Sequence, residues 1–209
     1  MQLVLSSFAP RAPFLTIAAA LLLCVALTGC QTNPTARYKS GYDKRLTANT
    51  WAARAPDEAV VIIGGSSSVW QKSGEKAYRF ETQPRYQLGF FGAYDAALVK
   101  AGTYQLVTTV GQDGNFTDFS GFRWSTADAS SDSVIASFEV GPGQVVYVGN
   151  LDVVGRMEAL GDCWAMFSVS DSSTHVIASF AKQVPYVTAV PTTALLTVLE
   201  NSVRFHCPM

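Results

Sequence analysis

The sequence predicts a mainly β protein: an antiparallel β-sandwich with one or two helices at its C-terminal end. Three observations support this. Short β-branched and aromatic runs recur from about residue 55 to 170, separated by Gly, Pro, Asn and Asp. After Asp171 the apolar spacing changes from strand-like to helical. The composition, 48% hydrophobic, 11% aromatic and 15% charged over 209 residues, can bury one substantial core. Strands first and helices last is the order of a sheet structure with helices packed on it.

The first 29 residues stand apart from that fold. Arg11 is their single charged residue, and an apolar run from Phe14 to Leu27 follows, interrupted only by Thr16. Such a run is short for a bilayer span, which takes about 20 residues, and suits the h-region of a secretory signal. It ends in Leu27-Thr28-Gly29-Cys30. Residues 30–50 are polar and without apolar periodicity, as a tether would be. A single domain is expected over 51–209.

The strands are expected in the following places. Ala59–Ile63 is a β-branched run closed by Gly64-Gly65. Lys76–Glu81 and Tyr86–Phe91 are aromatic-rich and flank Pro84; Thr103–Val110 follows Ala101-Gly102. Val134–Val140 and Gln144–Gly149 flank Gly141-Pro142-Gly143 and read as a hairpin, with Val145 and Tyr147 on one face and Val146 and Val148 on the other. Cys163–Val169 is apolar at alternate and intervening positions, which suggests a central strand. A helix is expected over Ser173–Gln183, capped by Asp171 or Ser172, with Val176, Ile177, Phe180 and Ala181 on one face. A second helix is expected over Thr192–Val203, with Leu195, Leu196 and Leu199 inward.

Leu27-Thr28-Gly29-Cys30 resembles the lipobox of bacterial lipoproteins. The resemblance implies cleavage before Cys30, a diacylglyceryl group on its thiol and a further acyl chain on the new amino terminus, which together anchor a protein stably. Gln31, where aspartate would signal inner-membrane retention, implies the outer membrane, with the domain facing the periplasm. Lys100-Ala101-Gly102-Thr103-Tyr104 and the stretch from Phe138 to Leu151, which contains Pro142-Gly143-Gln144-Val145-Val146-Tyr147-Val148-Gly149-Asn150, resemble motifs of small envelope domains with a transthyretin-like or immunoglobulin-like sandwich. This second resemblance covers about 50 residues and implies an uncharacterised lipoprotein rather than an activity.

No catalytic motif emerges, and the protein is expected not to be an enzyme. The two histidines, His175 and His206, belong to no HExxH, and no Cys-x-x-Cys is present, so neither metal nor cofactor is expected. Gly64-Gly65-Ser66-Ser67-Ser68 lacks the G-x-S-x-G pattern and reads as a turn. A calcium loop beginning at Asp113 would need Gly at Asp118 and Glu at Trp124. Without the charged Arg11, 14 basic residues face 16 acidic ones, and no basic patch invites nucleic acid. Phe116, Phe119, Phe122 and Trp124, interleaved with Asp118, Ser120 and Arg123, form a candidate aromatic surface for glycan or extended peptide, with core filling as the alternative. Tyr86, Phe90, Phe91 and Tyr94 form a second aromatic cluster. Cys163 and Cys207, the pair left once Cys24 and Cys30 are assigned to the leader and the lipid, are expected to form a disulfide.

The expected function is a lipid-anchored, periplasm-facing envelope protein that binds or scaffolds an envelope protein or glycan. A subunit of an envelope or secretion assembly is the second reading. An envelope hydrolase using Ser, Asp and His175 is the third and least favoured.

Overall fold

The computed structural model describes residues 44–209 apart from 76, 89–91, 114–121, 126–133, 160–161 and 207–209. In chain order the elements are β1 (Lys44–Arg45), α1 (Ala48–Ala52), β2 (Glu58–Gly65), β3 (Ser68–Lys72), β4 (Arg79–Thr82), β5 (Tyr86–Gln87), β6 (Ala93–Lys100), β7 (Gly102–Asp113), β8 (Phe122–Ser125), β9 (Ala136–Val140), β10 (Val145–Ala159), β11 (Asp162–Ser170), α2 (Ser173–Gln183), β12 (Thr192–Thr193), β13 (Thr197–Val198) and β14 (Ser202–His206). The architecture is the expected β-sandwich. One sheet holds β1 and β5 beside β6, then β2, β10, β11 and β14, with β12 alongside β10. The other holds β4, β3, β7, β9 and β13, with β8 on the far part of β7. The ladders are antiparallel except those of β10 with β2, β7 and β12, which are parallel.

Two cores result. Val61, Ile63, Trp70, Phe80, Tyr104, Phe138, Val146 and Val148 fill the space between the sheets. Val60, Ile62, Leu98, Val145 and Tyr147, on the outer face of the first sheet, pack under Val176, Phe180 and Val184 of α2 and its exit. Strand β2 is therefore buried on both faces, which explains its unbroken Ala59–Ile63 run. The expectation of two-faced burial for Cys163–Val169 is corrected. Strand β11 is interior to the sheet, but Ala165 and Phe167 point inward while Met166 and Ser168 are exposed.

Strand β10 governs the arrangement. Its first half pairs with β2 on one side and β12 on the other; its second half pairs with β11 and the end of β7. The β2 register slips between Tyr147 and Asn150, a bulge centred on Val148 and Gly149, where Gly149 has φ +100°. A one-residue bulge reverses which side chains face the core. Val146 and Val148 face the inter-sheet core before it, and Leu151 and Val153 after it.

The expected hairpin at Gly141-Pro142-Gly143 is also corrected. Strand β9 pairs with Gly102–Gln105 of β7, while β10 pairs with β2, so the turn carries the chain between sheets. Gly143 does take a positive φ, +71°, and its N–H donates to Glu58 O at 3.0 Å. Gly64-Gly65-Ser66-Ser67 likewise forms a corner between sheets, with Ser66 N–H donating to Leu151 O at 2.7 Å.

At the C-terminus, α2 matches the expected span, with Val176 and Phe180 buried, Ile177 half-buried and Ala181 exposed. Ser172 is its N-cap residue, but Asp171 supplies the side-chain bond, accepting from Ser173 N–H at 2.7 Å. The second helix is corrected: Thr192–Val203 forms β12, β13 and the start of β14. The N–H groups of Ala194 and Leu196 donate to Tyr147 O and Val148 O, and Leu199 N–H to Ile135 O. These buried strand carbonyls need partners, and an extended strap supplies them where a helix would use its own donors. Of the three leucines only Leu196 is buried. The fold also begins earlier than residue 51. Lys44 and Arg45 pair with β6, Leu46 and Trp51 are buried, and Thr47 and Thr50 form a reciprocal cap on α1.

These corners yield a prediction. A Cβ on Gly65, at φ +85°, would lie 2.2 Å from Leu151 O, whereas one on Gly143 would meet nothing within 4 Å. Gly65→Ala should destabilise the domain by more than about 3 kcal/mol and Gly143→Ala by only about 1 kcal/mol, the left-handed backbone term alone. Urea denaturation of both variants checks the ordering.

Candidate functional site

Polar groups buried in the fold serve as joints. Tyr147 reaches through the outer core, and its hydroxyl donates to Asn150 Oδ1 at 2.9 Å. Asn150 Nδ2 donates to Ser172 Oγ at 2.9 Å, and Ser172 N–H returns to Tyr147 Oη at 3.1 Å. This triangle fixes the start of α2 to the strand immediately beyond the bulge. Gly64 makes room for it, since a Cβ there would lie 1.9 Å from Asn150 Oδ1.

At the β6–β7 corner, Tyr104 Oη donates to Lys100 O at 2.6 Å, and Lys100 N–H donates to Tyr78 Oη at 2.7 Å. A tyrosine bonding back to nearby backbone is a corner device of sandwiches. It gives the Lys100–Tyr104 motif a structural role. Asp95 is fully buried and accepts from Gln83 N–H, Ala96 N–H and the Arg85 guanidinium at 2.8–3.0 Å, tying the β4–β5 loop to β6. A buried carboxylate with those donors is satisfied where it is.

The residues singled out from sequence fare unequally. Cys30, Phe116, Phe119 and Cys207 lie outside the described residues. Phe122 and Trp124 lie on β8, opposite Gly111 and Thr109 of β7. The second aromatic cluster divides: Phe90 and Phe91 lie outside the described residues, while Tyr86 stacks on Tyr94 at 5.0 Å, and Tyr94 is fully buried as part of the core. His175 sits exposed on the first turn of α2, where the neighbouring Ser172 and Asp171 side chains are engaged by Asn150 and Ser173. Cys163 lies opposite Phe205 on β14. Among the described residues no group of three His, Cys, Asp or Glu side chains comes together to hold a metal, and no helix is long and apolar enough to cross a membrane.

Two surface features were not read from the sequence. Helix α2 and its exit cover the outer face of the first sheet over β2, β6 and the start of β10, but not over the far half. There Val154 and Met166 stand exposed, directly opposite one another on β10 and β11. Beside them Trp164 is half-buried, its indole N–H without an acceptor among the described residues. The C-terminal strap is the second feature, exposing Val190, Leu195 and Leu199. The alternation that would have exposed the first was obscured by reading Cys163–Val169 as apolar on both faces.

No family model matches the chain, and comparison with curated proteins and with solved structures gives no match. The functional reading therefore rests on the residues themselves.

The buried tyrosines set the alkaline limit of the fold. Burial raises the pKa of Tyr78, Tyr94, Tyr104 and Tyr147 above the ordinary value, most strongly for Tyr104. The folded state thus holds these protons more tightly than the unfolded chain. Their contribution is complete below the unfolded pKa of about 10 and is lost as pH rises above it. Stability should fall above pH 10 with a slope of up to about 1.4 kcal/mol per pH unit per buried tyrosine. Tyr104→Phe should flatten that slope in urea denaturation between pH 8 and 11.

Proposed function

We propose that the protein is a lipid-anchored component of the bacterial envelope. Cys30 carries the acyl groups, and the sandwich acts as a periplasm-facing binding or scaffolding module at the outer membrane. The observation that carries this reading is Leu27-Thr28-Gly29-Cys30 directly after an apolar signal-like run, with folded structure beginning by Lys44. A leader, an acceptor thiol and a folded domain stand in the order that lipoprotein processing requires. The joints described above support a scaffold: Asp95, Tyr147, Asn150 and Ser172 spend their polar atoms on holding elements together. The partner in this reading is an envelope protein or glycan, and partner identification after cross-linking in intact cells separates the two. The likeness of the Lys100–Leu151 motifs to sandwich domains of envelope lipoproteins belongs to the same proposal.

Cys30→Ser should abolish incorporation of a fatty-acid analogue during growth and leave uncleaved or misrouted precursor. Equal label on wild type and variant would contradict the anchor.

The disulfide between Cys163 and Cys207 is part of the proposal. Strand β14 brings the chain to His206 opposite Asp162, one residue short of Cys207. Cys207 itself lies outside the described residues. A bridge requires Cα atoms no more than about 7 Å apart. It would close a loop of about 45 residues and contribute about 4 kcal/mol by chain entropy. Thiol titration of the unfolded, unreduced mature protein should find no free thiol; two would contradict the bridge.

A further inference from the structure

We propose that the far half of the first sheet is a dimer face: strands β10, β11 and β14 stack on the same strands of a second copy of this chain, with the strand directions reversed. The pairing requires no lipid anchor.

Helix α2 and its exit roof the outer face over β2, β6 and the start of β10. Beyond the bulge, the register of β10, β11 and β14 sets successive rows across the sheet. Asp152 stands opposite Ser168. In the next row Val154 stands opposite Met166, and Met166 opposite Ser202. In the row after that Arg156 stands opposite Trp164, and Trp164 opposite Arg204. The intervening Val153, Ala165, Phe167 and Val203 are buried in the inter-sheet core. Val154 and Met166 are 36 and 44% exposed, and Arg204 is exposed as well. Strand alternation therefore puts Val154, Met166 and Arg204 on one outer face. Along β10 the rows run acidic, apolar, basic. The exposed apolar pair at the centre gains by leaving water.

The order of charges selects the occupant. A face with an acid on one side of an apolar row and arginines on the other is complementary to its own reversed copy. Let a two-fold axis lie along the Val154–Met166–Ser202 row, midway between two stacked sheets. Met166 then meets Met166 of the second copy, and Asp152 of each copy meets position 156 of the other, where the residue is Arg. Successive rows are two residues, about 6.8 Å, apart, so the acidic and basic rows fall equally far from the axis. Sheets stacked face to face lie about 10 Å apart with their strands within about 30° of each other, which offsets such rows by only about 3.5 Å. An axis along the strands would instead lay the arginine rows on each other, and like charges repel. Three strands make a narrow face, so the dimer is expected to be weak and in exchange with monomer.

The test is cysteine cross-linking of the full chain in the cells that make it, with a short bismaleimide and two differently tagged copies. Wild type sets the background from the native cysteines. Met166→Cys should give several-fold more dimer than Glu75→Cys, an exposed site on the β3–β4 turn of the other sheet. Asp152→Cys and Arg156→Cys should cross-link with each other several-fold better than either does with itself. Added to Met166→Cys, Asp152→Arg or Arg156→Asp should each lower dimer capture several-fold, and co-expression of the two should restore it. Within one chain, positions 152 and 156 are about 13 Å apart along β10, so no intramolecular pair can mimic that rescue. Capture from Met166→Cys no greater than from Glu75→Cys overturns the proposal. So does a dimer in which Asp152→Cys and Arg156→Cys each prefer themselves, because the axis then runs along the strands. Loss of capture without rescue by co-expression overturns it as well, as does capture of a different protein at Met166→Cys in place of a second copy.

Discussion

The bulge at Val148–Gly149 is the constraint on which the rest of the structure depends. Before it, β10 belongs to the half of the sheet covered by α2; beyond it, β10 belongs to the half built with β11. The change of parity there is what lets one strand bury Val146 and Val148, then Leu151 and Val153, on the same inner face. Were these residues paired by plain alternation, without the bulge, Asn150 and Asp152 would turn toward the core and Leu151 and Val153 toward solvent. Glycine is needed because φ is +100° and because a Cβ would lie 2.7 Å from Val169 Cγ1.

The layers follow from that strand. The Tyr147–Asn150–Ser172 triangle anchors α2 immediately beyond the bulge, so the helix lies over β2 and β6 and encloses the second core. On the other side of β10, the strap takes the carbonyls of Tyr147 and Val148 and crosses to β9, clasping the two sheets together. The strap must be extended and thin to do this, which leaves Val190, Leu195 and Leu199 outside. A segment folded to satisfy a strand edge has few buried positions to offer its apolar side chains.

Much of the fold was legible because local and global preferences agree. The Ala59–Ile63 run, the Val145–Val148 alternation and the Ser173–Gln183 helix each carry the period of the element they form. Even the bulge is written in the spacing of Val146, Val148, Leu151 and Val153, which breaks step at Gly149. In Thr192–Val203 the spacing of Leu195, Leu196 and Leu199 imitates a helical face. The β-branched Thr192, Thr193, Thr197, Val198 and Val203 pointed to strand, and pairing with an existing edge decided the matter. Gly141-Pro142-Gly143 was read correctly as a turn, but a turn does not say whether its flanking strands share a sheet.

The site was less legible than the fold. The proposed anchor at Cys30 rests on a local pattern, whereas surface features such as Val154 beside Met166 arise only when distant segments are brought together. Replacement of Gly149 tests directly whether the bulge in β10 organises the fold. Native-state hydrogen exchange and urea denaturation should be measured for Gly149→Ala. The account predicts a loss of more than about 3 kcal/mol. Protection should fall first at the amides of Ser172, Ala194 and Leu196, which are bonded to β10 around the bulge. A loss below about 1 kcal/mol with those amides still protected would contradict it.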